Sequence, residues 1–166
     1  MKLLAHQTGN LMNKNEISSR LSIDVRTLER YLYILSRSYH LRLVTPYSRH
    51  IRTELTRMPK IYFYDTGIRN MLMNSFEPLI IRADSGSLLE NIVLSVLMHR
   101  HPTEDIHFWR TQGGQEIDFI IPDIHKAYEV KTDISRYSEK RYSTFLEKYP
   151  DIELVPIDMR LSMGDI

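Results

Sequence analysis

The sequence predicts an α/β chain in which a small helical unit with a hairpin precedes a mixed-sheet core. Three observations carry that prediction. Residues 13–37 hold two stretches of helical periodicity separated by a three-residue break. "LRLVTPY" and "KIYFYD" then alternate apolar and polar positions as strands do. The second half reads helix, three strands, helix, strand, an order suited to a mixed sheet between helix layers.

In the first stretch, "NKNEISSRL", Asn13 or Asn15 is placed to cap a helix whose Ile17 and Leu21 form an i, i+4 apolar pair. "SID" interrupts, and Asp24 is placed to cap a second helix running to about Arg37. Val25, Leu28, Leu32 and Leu35 form its buried stripe, with Arg26, Arg30, Tyr33 and Arg37 opposite. A short helix, a tight break and a longer helix with a basic outer face make the helix-turn-helix pattern. The same pattern also suits a small bundle with a solvated outer face.

Between the two strands, "SRHIRTELTRMP" is strongly basic. Arg49, Arg52, Arg57 and Lys60, with His50, are placed either to flank a wing that touches phosphates or to keep a loop in water. "YFYDTGIRNMLM" passes from strand to helix, with Asp65 or Thr66 as the cap. "EPLIIRADSGS" reads as a connector, which divides the chain into a winged-helix domain over 1–75 and a second domain over 76–166.

The helix "SLLENIVLSVLMHRHP" opens the second domain and buries Leu89, Ile92, Val93, Val96 and Leu97. Glu90 lies at the edge of that face and needs a partner, because burying an unpaired carboxylate is costly. His99 and His101 fall at the helix end, where the dipole favours them.

The strands "IHFWR", "QEIDFII" and "AYEVK" follow, the first two joined by the turn "TQGG". Strict alternation places Glu116, Asp118 and Ile120 on one face and Gln115, Ile117, Phe119 and Ile121 on the other. Glu129 and Lys131 point together, so a hairpin of these strands gathers three carboxylates and one ammonium. Such a group is either a solvated sheet face or a metal site. For the second, Asp118 and Glu129 are the metal donors, with Glu90 as a third carboxylate from the helix above. Oxygen donors suit Mg²⁺ or Mn²⁺, and a divalent ion polarises a phosphodiester and activates water. Lys131 then orients the water or offsets developing charge.

Composition narrows the class. Of the 166 residues, 42% are hydrophobic and 26% charged, as in a folded globular chain rather than a disordered one. The net charge of +1 supplies no global field toward nucleic acid, so a basic footprint must be local. No cysteine is present, which removes thiolate metal sites and disulfides and suits a cytoplasmic setting. No apolar run approaches the roughly 20 residues of a membrane span. No G-x-x-x-x-G-K-[ST] phosphate loop occurs, so the chain carries no ATPase motif of that kind.

Taken in order, "VTPYSRHIRTELTRMPKIYFYDTG", "GSLLENIVLSVL", "FWRTQGGQEIDFII" and "AYEVK" resemble the C-terminal domain of unknown function attached to prokaryotic AAA-type ATPases. The last three resemble, more broadly, the core of the PD-(D/E)xK nuclease-like superfamily. The resemblance covers nearly the whole chain and implies a winged helix beside a restriction-endonuclease-like α/β core. Glu90, Asp118, Glu129 and Lys131 match the nuclease-like catalytic positions, and Glu116 matches an acidic position beside them. The ATPase domain that precedes this region in the family is not in the sequence, which reads as a fragment or a shortened chain. An ATPase partner is therefore expected in cis in a longer chain, or in trans.

The expected function is a DNA-binding module with a Mg²⁺- or Mn²⁺-dependent nuclease-like core, a deoxyribonuclease if active. Arg26, Arg30, Tyr33, Arg49 and Arg52 are its DNA-binding residues. The alternative is a non-catalytic DNA-binding or protein-interaction scaffold. A transcriptional regulator is a further reading, resting on the winged helix alone.

Overall fold

A computed structural model describes residues 1–48 and 58–159. The chain forms α1 (Lys2–His6), α2 (Lys14–Leu21), α3 (Val25–Arg37), β1 (Leu41–Pro46), β2 (Lys60–Phe63) and α4 (Thr66–Met73). It continues through α5 (Ser85–Arg100), β3 (His107–Arg110), β4 (Glu116–Ile121), β5 (Lys126–Val130), α6 (Ser143–Lys148) and β6 (Glu153–Ile157). N-terminal helices are thus followed by a mixed α/β arrangement, as the sequence predicts. Arg49, Arg52, His50 and Arg57 of the expected wing lie outside the described residues.

The caps form where the polar residues fall. Asn13 accepts from the backbone of Asn15 and Glu16 at the start of α2. Asp24 accepts from Thr27 N at 2.9 Å and from Thr27 Oγ1 at 2.6 Å, which fixes the start of α3. Asp65 caps α4 through Gly67 N and Ile68 N. Ser22 takes a left-handed φ of 53° to end α2, and α3 buries Leu28 and Leu32. Leu21, expected to pair with Ile17 in the core, is exposed instead, because it sits at the last turn of α2 just before the chain swings away.

All six strands form one sheet in the order β2-β1-β3-β4-β5-β6. β1 pairs antiparallel with β2 and parallel with β3, so the strands expected to flank a wing belong to the central sheet. β3, β4 and β5 are antiparallel neighbours, and β6 returns parallel to β5 through α6. Alternation along β2 decides what each face meets. Ile61 and Phe63 join Leu4, Met12, Ile17, Leu28, Leu32 and Leu41 in the core of the N-terminal helices. Tyr62 instead joins Val44, Leu89, Val93, Leu97, Phe108 and Phe119 beneath α5. A third cluster around Trp109, Ala127, Phe145 and Tyr149 packs α6 against the sheet.

β2 is an edge strand, yet its outer backbone groups are paired. Pro59 O accepts from Met12 N at 2.8 Å and Ile61 O from Gly9 N at 2.9 Å. Phe63 is met by a side chain: its N–H donates to Asn91 Oδ1 at 2.9 Å, and Asn91 Nδ2 donates to its carbonyl at 2.7 Å. Asn91 thus completes the ladder from α5, satisfies groups that burial would otherwise orphan, and pins the helix over β2. That docking carries the neighbouring Glu90 onto the sheet.

Candidate functional site

The β3–β4 register contains the local event that shapes the site. His107 pairs with Ile120 and Trp109 with Ile117, so two steps on β3 face three on β4. The extra residue is a β-bulge, and it cancels strict alternation. Ile117 and Ile120 therefore pack in one cluster, with Trp109 and Ala127. Phe119 and Ile121 pack in the other, beneath α5. The expected face shared by Glu116, Asp118 and Ile120 is corrected accordingly. Asp118, at the bulge, is directed toward β2 and α5.

The carboxylates do not lie on a solvated sheet face. Asp118 and Glu129 are both buried. Asp118 Oδ2 accepts from Val130 N at 2.9 Å, beyond the last paired residues of the β4–β5 ladder, Phe119 and Tyr128. Its Oδ1 stands 3.5 Å from the ammonium of Lys60. That lysine, expected in a phosphate-facing basic segment, is instead interior, with a side chain only 2% exposed. Strand alternation is the reason, since Lys60 shares the α5-facing side of β2 with Tyr62. Lys60 Nζ pairs with Glu116 Oε1 and lies 3.8 Å from Glu90 Oε2, while Glu116 Oε2 takes Arg110 Nη1 at 2.9 Å. Glu90 finds the partners its position requires, Lys60 and the Tyr62 hydroxyl, which donates at 3.0 Å.

Glu129 Oε1 pairs with Lys131 Nζ, and Glu129 Oε2 is buried without a hydrogen-bond partner. Tyr142, from the turn before α6, stands beside both groups. This side of the cluster opens on a cleft of about 350 Å³ lined by residues 113–116 with Glu129, Lys131, Arg141 and Tyr142. Gly114, at φ 85°, lines the cleft from the turn between β3 and β4. Gly9, at φ 79°, closes the opposite side, where a Cβ would come 2.9 Å from Glu90 Oε2.

The electrostatics follow from burial. Desolvation and then the Asp118 charge push the Glu90 carboxyl up to about 8, against the opposing pull of Lys60 and Tyr62. The same two causes push Glu129 up to about 7, with Lys131 opposing. Burial raises Asp118 as well, with Lys60 opposing. Burial alone would depress the Lys60 ammonium, yet Asp118, Glu90 and Glu116 together hold it above the usual lysine range. Tyr142 is pushed up to about 12 by burial and then by Glu129.

The structure therefore brings Glu90, Asp118, Glu129 and Lys131 into one constellation, with Asp118 and Glu129 buried and Glu90 and Lys131 half-buried. It adds Lys60, Tyr62, Glu116 and Tyr142. The signal for Lys60 was present: in "KIYF" a period of two places it with Tyr62, opposite Ile61 and Phe63. The fit to a divalent cation is uneven. Asp118 and Glu129 are hard oxygen donors from adjacent strands, and the unpartnered Glu129 Oε2 suits a cation. Glu90 faces Tyr62 and Lys60 instead. Among the described residues, no three Asp, Glu or His side chains form a group able to hold a metal ion. An ion here would take two protein carboxylates and draw its other ligands from water and phosphate.

The expected DNA-binding residues of α3 lie apart from this centre. Arg26, Arg30 and Tyr33 are exposed on its outer face, Tyr33 by 65%. None of the three has a hydrogen bond or ion pair through its side chain among the described residues.

Two family models match successive parts of the chain. Residues 1–79 match the family model described as Domain of unknown function (DUF8612). Residues 85–165 match that described as Domain of unknown function (DUF4143). The chain is also similar to the uncharacterized proteins Rv2008c of Mycobacterium tuberculosis and Mb2031c of Mycobacterium bovis, each 31% identical over 121 residues. The match covers 72% of this chain and 27% of each relative, so the chain spans about a quarter of the length of these proteins. No solved structure matches it. Among the described residues, no helix is long and apolar enough to cross a membrane.

Proposed function

We propose that the chain is a DNA-binding module whose sheet carries a nuclease-like phosphodiesterase centre at Asp118, Glu129 and Lys131. The observation that carries this reading is Glu129 Oε2, buried without a hydrogen-bond partner on a residue that lines the cleft together with Lys131. Burying a carboxylate oxygen with no donor is costly, and a structural charge network has no need of it. Asp118 and Glu129 would hold a Mg²⁺ or Mn²⁺ ion, which supplies Lewis acidity and lowers the pKa of water. Lys131, half-buried and paired with Glu129, is placed to offset charge developing on a phosphate in the cleft. Arg141, at the cleft mouth, is placed to receive a flanking phosphate. Helix α3 would dock the duplex through Arg26, Arg30 and Tyr33, with Arg49 and Arg52 as the wing contribution. An AAA-type ATPase domain, in cis in a longer chain or in trans, belongs to the same proposal. The greater length of the relatives supports it.

A second reading, a non-catalytic DNA-binding or protein-interaction scaffold, is favoured by Lys60, whose ammonium compensates Glu90, Glu116 and Asp118 without a metal. Incubation with supercoiled plasmid and with single-stranded DNA in Mg²⁺ or Mn²⁺ separates the two. Metal-dependent cleavage that disappears in Asp118→Asn is expected. A protein inert on every DNA form that still binds duplex would be the scaffold.

A further inference from the structure

We propose that Lys60 is a resident cation of the sheet centre: its ammonium fills the place between Glu90, Glu116 and Asp118 that a second divalent ion would take, so no metal binds there. The inference deepens the nuclease-like reading by stating how many ions the centre takes, and its account of Lys60 is testable apart from that reading.

The geometry is that of a small cation in an oxygen cage. Lys60 Nζ reaches three carboxylates, one in direct contact with Glu116 and the others at 3.5 Å and 3.8 Å. An ammonium is a compact point charge with three donors and no acceptor, the side chain closest in character to a hard ion. The ring of Phe108, with its centroid 5.5 Å away, adds a cation–π contact. The stem enters from β2, whose outer edge is sealed by residues 9–12, so the head is held from within the sheet and is not a mobile surface charge.

Charge accounting points the same way. Lys60, Arg110 and Lys131 are ion-paired with Glu90, Glu116, Asp118 and Glu129. Each of the four carboxylates thus already faces a cationic side chain, and the three around Lys60 share its ammonium. In two-metal phosphodiesterase centres the ions clamp the attacking and the leaving oxygens from both sides. Here Asp118 gives one oxygen to Lys60 at 3.5 Å and the other to Val130 N at 2.9 Å. Glu90 and Glu116 are then ligands of the lysine, and Lys60 is a positioning residue that holds Asp118 Oδ1 in place.

The test is Mn²⁺ titration by calorimetry, with thermal melts in Mn²⁺ and in chelator, on wild type, Lys60→Met and Lys60→Met/Glu116→Gln. Lys60→Met should bind one Mn²⁺ more than wild type, and the double variant should lose that ion again. The melting temperature of Lys60→Met should rise in Mn²⁺ by more than that of wild type. Should Lys60→Met fail to fold in chelator, Mn²⁺ should restore its cooperative transition. Two Mn²⁺ on wild type, no gain in Lys60→Met, or an unfolded variant that Mn²⁺ does not restore would each overturn the proposal. A wild type that binds no Mn²⁺ beside a Lys60→Met that binds one would uphold the role of Lys60 and refute Asp118 and Glu129 as metal donors.

Discussion

Helix α3 carries Arg26 and Arg30 in solvent with no ion pair among the described residues, whereas the sheet centre buries Lys60, Asp118 and Glu129 and pairs nearly every charged atom. The contrast teaches what each region can do. Exposed arginines stay hydrated and contribute little to stability, so their charge remains available to an external polyanion. Buried charges are held only because other charges compensate them, and they are tied to the fold. An exception inside a compensated cluster is therefore more informative than a free charge on a surface. Glu129 Oε2 is that exception.

The largest effect should come from removing the compensated donors. Asp118→Asn or Glu129→Gln should abolish metal-dependent cleavage in a single-turnover plasmid assay, because the chain then has one carboxylate for the ion. Lys131→Ala should retain Mn²⁺ binding and lower the rate by about 10²–10³-fold, the cost of losing one electrostatic stabiliser. If Lys131→Ala abolished Mn²⁺ binding too, the ammonium would be organising Glu129 and not the phosphate.

The next effect belongs to stability. Asn91→Ala leaves the N–H and C=O of Phe63 unpaired in a buried setting, at about 1–3 kcal/mol for each group. Urea denaturation should show a loss of roughly 2–6 kcal/mol. Glu90 should also lose its station over β2, so cleavage should fall with stability in this variant. An unchanged urea midpoint would mean that the edge of β2 is sealed without Asn91.

What could be read from the sequence divides along the same line. The α3 face was legible because helical periodicity is local: Asp24 marks the start, Leu28 and Leu32 mark the inside, and Arg26, Arg30 and Tyr33 must face out. The strands were legible for the same reason. Much of the centre depends on pairing, which no local pattern contains. The parallel pairing of β1 with β3 joins residues about sixty positions apart and carries Lys60 to Asp118. The bulge between Ile117 and Ile120 redirects Asp118, and nothing in "QEIDFII" announces it. Asn91 was within reach, since a polar side chain on a buried helix face demands a partner as Glu90 did.

A smaller effect should appear with pH. Glu90 in the folded chain holds its proton to about pH 8, and Glu129 to about pH 7. An unfolded glutamate releases its proton near 4.3. Between those values the folded state binds more protons, so stability falls as pH rises from about 4.5 to 8. His107, lowered by burial, works against this trend below its ordinary value near 6.5. The comparison should therefore be made between wild type and Glu90→Gln in thermal melts from pH 5 to 8. Wild type should lose melting temperature over that range and the variant should lose less. Equal slopes would mean that Lys60 keeps Glu90 ionised throughout.

The smallest effect should come from the face that costs the fold least. Arg26→Ala/Arg30→Ala removes two exposed guanidinium groups that have no partner to strand among the described residues, so the stability change should stay within about 0.5 kcal/mol. Duplex affinity should fall, and the slope of log affinity against log salt should drop by nearly two units, about 0.9 for each phosphate no longer neutralised. The loss should be similar for unrelated duplex sequences, because groups that meet phosphates position a protein without reading bases. Tyr33→Ala, on the same face, should weaken binding without changing the salt slope, since it releases no counterion. Fluorescence anisotropy from 50 to 200 mM salt measures the affinity and the salt slope on each duplex, and urea denaturation the stability. An unchanged slope in the double variant would leave α3 as an ordinary solvated helix, with the cleft beside Arg141 as the remaining route for DNA. A double variant that unfolded would instead show that the exposed charges are as tied to the fold as the buried ones, and the contrast between the two regions would fail.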